Sequence, residues 1–143
     1  MAENEVLIRR LYRGINSGIK SVMPLTGRVF IMNLIDELVS EDCILHVQDY
    51  DVTPNRDGYK KILNQTFLAI PDFYIKNEEI VGKRDKVFVT YIWSGTPNNQ
   101  SFYSKNVSSS GRKVEVRQID IYRILDKKIR ELWWSADDSG YDD

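Results

Sequence analysis

The chain has 143 residues, with 20 lysines and arginines against 21 aspartates and glutamates, and a single cysteine, Cys43. That length fits one domain with its own core, and near-neutral charge without a basic run gives no electrostatic footing for nucleic acid. One cysteine excludes an intrachain disulfide and a cysteine zinc cage, and no apolar run reaches membrane-spanning length.

The first residues, Met1-Ala2-Glu3-Asn4-Glu5, lack the basic and apolar regions of a signal peptide, so a cytoplasmic protein with a reduced, buried Cys43 is expected. Val6, Leu7, Ile8, Leu11, Tyr12 and Ile15 recur at helical spacing and predict a first helix, weakened or ended by Gly14 and Gly18. Pro24 and Gly27 read as a connection. Phe30, Ile31, Leu34, Ile35, Leu38 and Val39 then predict a second amphipathic helix. Cys43 to Gln48 reads as a short strand, followed by a polar loop from Asp49 to Gly58. The acid spacing of that loop is no calcium site, because Pro54 stands where the sharp turn needs glycine and no glutamate closes it. Asp57 is the expected cap of a third helix carrying Tyr59, Ile62, Leu63, Thr66, Phe67 and Ile70, which Pro71 stops.

Beyond Pro71 the period shortens. Asp72 to Val81 and Lys86 to Ser94 predict a hairpin across Gly82-Lys83-Arg84-Asp85, and Phe102 to Val107 a further strand. Val114 to Leu125 and Lys128 to Ala136 predict a second hairpin across Asp126-Lys127. Residues 1–143 thus form one α+β domain with an acidic tail, 137–143, and its helices cover one face of a curved antiparallel sheet.

Alternation along the last strand puts Ile129, Glu131, Trp133, Ser135 and Asp137 on one side. Asp137, an acid sharing a face with a tryptophan, is the first candidate for a catalytic group. His46, the only histidine, alternates with apolar Cys43, Leu45 and Val47; it is a second catalytic candidate, read against a purely structural role. Tyr91, Trp93, Trp133 and Trp134 make a ligand-stacking set of which Trp93 and Trp133 are preferred as pocket residues. Tyr12 and Tyr59 would close the pocket from the helices, and Gln118 joins Asp120 and Arg123 among the polar residues of the penultimate strand. No residues are spaced as metal ligands.

Four stretches resemble the SnoaL-like polyketide cyclases, within the superfamily of nuclear transport factor two and the ketosteroid isomerases. They are Leu45-His46, Ala69-Ile70-Pro71-Asp72-Phe73, Trp93-Ser94-Gly95-Thr96, and Lys128-Ile129-Arg130-Glu131-Leu132-Trp133 with Asp137 and Gly140. The resemblance implies a cone-shaped α+β barrel, its curved sheet wrapped by three N-terminal helices around an internal apolar pocket. It also implies intramolecular aldol condensation of a polyketide ester without metal or organic cofactor, with Asp137 as general acid/base. Where such cyclases carry a histidine on the strand before the aspartate, residues 114–125 have none; the loop often reading Gly-Thr-His is Gly95-Thr96-Pro97, and the usual Asp-Gly turn is Asp126-Lys127. Two readings follow. One is a cofactor-free cyclase, isomerase or hydrolase acting on an apolar oxygenated small molecule. The other is a non-catalytic ligand-binding or dimerisation module. A homodimer through the open face of the sheet is expected in both, and neither nucleic acid nor membrane is an expected partner.

Overall fold

A computed structural model describes residues 2–20, 24–47, 52–98 and 112–136. Helices α1 (Ala2–Ile19) and α2 (Pro24–Leu38) lead into strand β1 (Val39–His46), and α3 (Arg56–Ala69) precedes β2 (Tyr74–Lys83), β3 (Lys86–Gly95), β4 (Val114–Leu125) and β5 (Lys128–Ala136). The five strands form one sheet in the order β1-β5-β4-β3-β2. Three pairings are antiparallel, whereas β1 runs parallel to β5, with His46 opposite Trp133, so the sheet is mixed. The register shifts between Val39 and Ile44, Asn77 and Glu79, and Arg123 and Ile124, irregularities of the kind that bend a strand.

Several boundaries differ from the sequence reading for local reasons. Helix α1 runs through Gly14 and Gly18 because these two glycines let α2 approach. A Cβ at Gly14 would stand 2.2 Å from Leu34 Cδ2, and one at Gly18 2.4 Å from Ile31 Cδ1. Pro24 opens α2 rather than interrupting it, in the first turn, where its missing N–H goes unnoticed. Val39 fits the helical stripe of α2 equally well, yet it begins β1, buried opposite Ile129. Asn55 caps α3, its Oδ1 accepting the Gly58 N–H at 3.1 Å, while Asp57 lies within the first turn. The strand expected over 102–107 falls outside the described residues, as do most of the 49–58 loop's acids.

Edge strand β2 is closed off by α1. The Asn16 amide donates to the Ile75 carbonyl at 2.8 Å and accepts the Ile75 N–H at 2.9 Å, as a neighbouring strand would, and Glu5 Oε2 accepts the Gly82 N–H at 3.0 Å. On the other side Lys128 Nζ donates to the Glu37 carbonyl at 2.6 Å and so caps the end of α2. Gly95 explains itself sterically: a Cβ there would lie 2.2 Å from Cγ2 of the fully buried Ile70. Its neighbour Thr96 donates to Asp72 through both N–H and Oγ1, at 2.7 and 3.0 Å, tying the end of β3 to the turn between α3 and β2. Alternation then sorts the sheet into two faces. Val116, Asp120, Tyr122 and Ile124 of β4 are buried under the helices, while Ile119 and Leu125 face away and are exposed.

Candidate functional site

Between α1, α3 and the inner face of the sheet lies a cavity of about 60 Å³. Its walls are aromatic: Tyr12 from α1, Tyr59 from α3, Tyr91 and Trp93 from β3, Tyr122 from β4 and Trp134 from β5. The rings brace one another. Tyr12 and Tyr91 are 5.3 Å apart between centroids, Tyr12 meets Tyr122 edge-on at 6.2 Å, and Tyr59 leans on Trp134 at 5.6 Å. Five of the six residues proposed from sequence as ligand contacts, Tyr12, Tyr59, Tyr91, Trp93 and Gln118, line this cavity. The sixth, Trp133, does not.

The polar centre of the cavity is Asp120, 1% exposed. Its Oδ2 accepts from the hydroxyls of Tyr12 (2.7 Å) and Tyr122 (3.0 Å), and its Oδ1 accepts from Gln118 Nε2 (3.3 Å). The two hydroxyls are themselves 2.6 Å apart. Burial disfavours the carboxylate and pushes Asp120 up to about 6; hydrogen bonds from Tyr12, Tyr122, Tyr91 and Gln118 hold it from rising further. Burial also raises the phenols of Tyr12, Tyr59 and Tyr122, assisted by the Asp120 charge, so these remain protonated donors across the physiological range. Asp120 therefore changes charge close to neutrality inside an aromatic shell, which is what a proton-transfer group requires.

Asp120 was absent from the residues singled out by sequence as catalytic. The signal was available: along Val114, Val116, Gln118, Asp120, Tyr122 and Ile124, an aspartate stands in an inward-facing series that is apolar at both ends.

His46 and Trp133 stand together on the opposite, outer face of the sheet, away from the cavity. Their rings stack at 4.9 Å, inclined by 8°, and Lys86 Nζ lies 5.5 Å from the centroid of Trp133. His46 Nε2 is 2.6 Å from Glu131 Oε2, and Arg123 Nε donates to Glu131 Oε1 at 3.0 Å. The hydrogen bond from His46, helped by Arg123, holds the Glu131 carboxyl below its usual range. This is an ion-paired surface row, with exposed Ile44, Phe88 and Ile119 on the same side. Asp137 lies outside the described residues. Buried Cys43 has its thiol pushed up to about 12 by desolvation, which makes it inert. Among the described residues no group of three or more His, Cys, Asp or Glu side chains could hold a metal ion, and no helix is long and apolar enough to cross a membrane.

The architecture and its cavity define a class: small α+β domains in which three helices and a bent sheet close around an aromatic-lined hollow with an acid inside. Within that class the chain belongs to the SnoaL-like polyketide cyclase family, whose model matches residues 30–142. Solved structures agree on the fold. IdmH, a putative polyketide cyclase from Streptomyces antibioticus, superposes with a TM-score of 0.72 at 22% identity, over 94% of this chain and 91% of that one. TsrD from Streptomyces laurentii gives 0.76 at 18% identity, over 98% and 92%. A SnoaL-like polyketide cyclase from Agrobacterium tumefaciens gives 0.70 at 17% identity, over 92% and 88%. No curated protein sequence matches the chain.

Proposed function

We propose that the protein binds an apolar, oxygenated, polyketide-like small molecule in the cavity and acts on it by aspartate general acid–base catalysis, without a cofactor, as a cyclase or related isomerase. The observation that carries this reading is Asp120, buried among tyrosine hydroxyls and poised at about 6. A group ionising there can give or take a proton near neutral pH with little penalty either way. Asp137, matched to the aspartate of the family's last strand, is the second carboxyl of the reading, and Tyr12, Tyr59, Tyr91, Trp93 and Gln118 are its substrate contacts. The test is turnover of an enolisable β-keto ester by wild type and by Asp120→Asn and Asp137→Asn. Each variant is expected to fold and to lose roughly 10²- to 10⁴-fold in rate. Unchanged turnover in both would end the catalytic reading.

One observation favours the alternative, a non-catalytic binding or dimerisation module. The cavity of about 60 Å³ is well under the roughly 300–1,000 Å³ of pockets for drug-sized ligands. In both readings the protein is a homodimer joined through the outer sheet face, where Ile44, Phe88 and Ile119 leave apolar surface beside the His46–Trp133 stack. Sedimentation of Ile119→Glu is expected to give half the wild-type mass; a wild-type monomer would remove the dimer.

A further inference from the structure

Helices α1 and α2 run antiparallel, with Arg10 beside Glu37, Gly14 beside Leu34 and Gly18 beside Ile31. On their exposed side they leave a hollow of about 280 Å³. Its floor is Gly14 and the buried Leu34, and the Phe30 ring leans over it: a Cβ at Gly14 would stand 3.7 Å from Phe30 Cε2. Phe30 is 49% exposed, a large ring left half in water at the wall of a hollow. One end is shut by a fork in which Arg10 Nη1 and Nη2 donate to Glu37 Oε2 and Oε1 at 2.5 and 3.0 Å, so these two charges answer each other. Nearly one turn further along α1, Arg13 lines the same hollow and makes no hydrogen bond or ion pair among the described residues. Apart from these three, no charged side chain lines the hollow among the described residues. An apolar floor therefore lies under one unanswered positive charge.

We propose that this hollow binds a small monocarboxylate with a compact apolar body, the carboxylate paired with the Arg13 guanidinium and the body lying over Gly14 and Leu34 against the Phe30 ring. Tyr12 faces the inner cavity from another side of α1, so the two sites are separate and the inference stands whether or not the cavity turns over a substrate. Charge sets the class of ligand. A cation would meet Arg13 with nothing to offset it, and a dianion would bring a second negative charge towards Glu37. A single carboxylate matches the planar guanidinium with two parallel hydrogen bonds. Size sets the rest. From residue 10 to residue 17 the hollow runs about 10 Å along α1, and its volume lies just under the roughly 300–1,000 Å³ of pockets for drug-sized ligands, which suits a smaller molecule. The exposed face of Phe30 gives the apolar body a surface to cover, which a fully hydrated anion such as acetate would not use.

The test uses the full chain and two probes of one shape, phenylacetate and its neutral amide, phenylacetamide. They are titrated by calorimetry at about pH 7.5, where the acid is ionised, with tryptophan emission followed alongside. Phenylacetate is expected to bind at least about tenfold more tightly than the amide, and to lose that advantage as salt is raised. Tryptophan emission is expected to stay constant, because no tryptophan lines the hollow, whereas Trp93 and Trp134 stand in the cavity walls. Arg13→Gln is expected to bring the acid down to the affinity of the amide and to leave the amide unchanged, while Phe30→Ala weakens both. Asn33→Asp, on the α2 rim, supplies a competing carboxylate and is expected to weaken phenylacetate alone. Arg13 and Asn33 are exposed, so neither of those variants burdens the fold. Equal binding of acid and amide overturns the inference and leaves the hollow a plain apolar surface. Phenylacetate affinity that survives Arg13→Gln overturns it too, and a change of emission that survives with it places the probe in the inner cavity instead. No binding of phenylacetate at millimolar concentration overturns it outright.

Discussion

Replacing Asp120 with asparagine is expected to make the protein more resistant to urea at pH 8 and to flatten the pH dependence of its stability. In the folded state the carboxyl stands at about 6, raised from an ordinary 3.8 chiefly by burial. A group with a raised folded pKa binds its proton more tightly when folded. It therefore stabilises fully below the unfolded pKa, and that contribution is lost as the pH climbs through the folded one. The window runs from about pH 4 to about pH 7. At 1.36 kcal/mol per unit, the loss amounts to about 3 kcal/mol, a sizeable share of the stability of a domain this size. The sign is opposite to that of Glu37 and Glu131, whose carboxyls are held below their usual range by Arg10 and His46 and stabilise at higher pH. Comparing urea midpoints of wild type and Asp120→Asn at about pH 4.5 and pH 8 cancels those shared contributions. A difference between the two proteins that stays constant across the range would mean that Asp120 titrates as an exposed aspartate does.

The parts of the fold that were legible were those with one strong period. Helices α1 and α3 and the two hairpins β2–β3 and β4–β5 follow from apolar spacing and from turns at Lys83–Asp85 and Asp126-Lys127. The latter turn needs two left-handed residues, and Asp126 and Lys127 adopt φ of 54° and 61° without the glycine such turns prefer. What local pattern could not give was the parallel pairing of β1 with β5, a contact between distant segments with no turn to announce it. That pairing decides the fate of His46. Beside Trp133 on the outer face it joins Glu131 and Arg123 in an ion-paired row, and the alternation of β1 alone could not say which face would be inside. The aromatic walls were readable as a set because Tyr12, Tyr59, Tyr91 and Trp93 lie on apolar stripes. Asp120 was readable only by taking parity seriously for a charged residue. An inward-facing aspartate contradicts the apolar rule, and such conflicts between local pattern and chemistry mark functional positions more often than structural ones.

The largest structural effect is expected from Gly58→Ala, a change of one methyl group at the start of α3. An alanine Cβ at this position would stand 1.7 Å from the Thr53 carbonyl oxygen and 2.8 Å from its carbon, distances at which the atoms overlap. Gly14, Gly18 and Gly95 also face close neighbours, but those neighbours begin with side-chain ends that can turn aside. At Gly58 the obstacle is backbone, and that backbone is occupied: the Thr53 carbonyl accepts the Asn55 N–H at 2.9 Å, and the adjacent Pro54 carbonyl accepts the Leu45 N–H at 3.1 Å. Making room would break the turn that pins this loop to β1 and would pull the Gly58 N–H from its cap on Asn55. Overpacking of a site able to adjust costs about 1–3 kcal/mol, and loss of a cap about 1 kcal/mol. A loss of about 3 kcal/mol or more is therefore expected, read as a fall in melting temperature of roughly 10 °C. Because Tyr59 follows immediately and sets one wall of the cavity against Trp134, turnover of the β-keto ester should fall in the fraction that stays folded. A Gly58→Ala protein with wild-type melting temperature would show that the 53–58 turn yields freely, and that the wall carrying Tyr59 is positioned by something other than this cap.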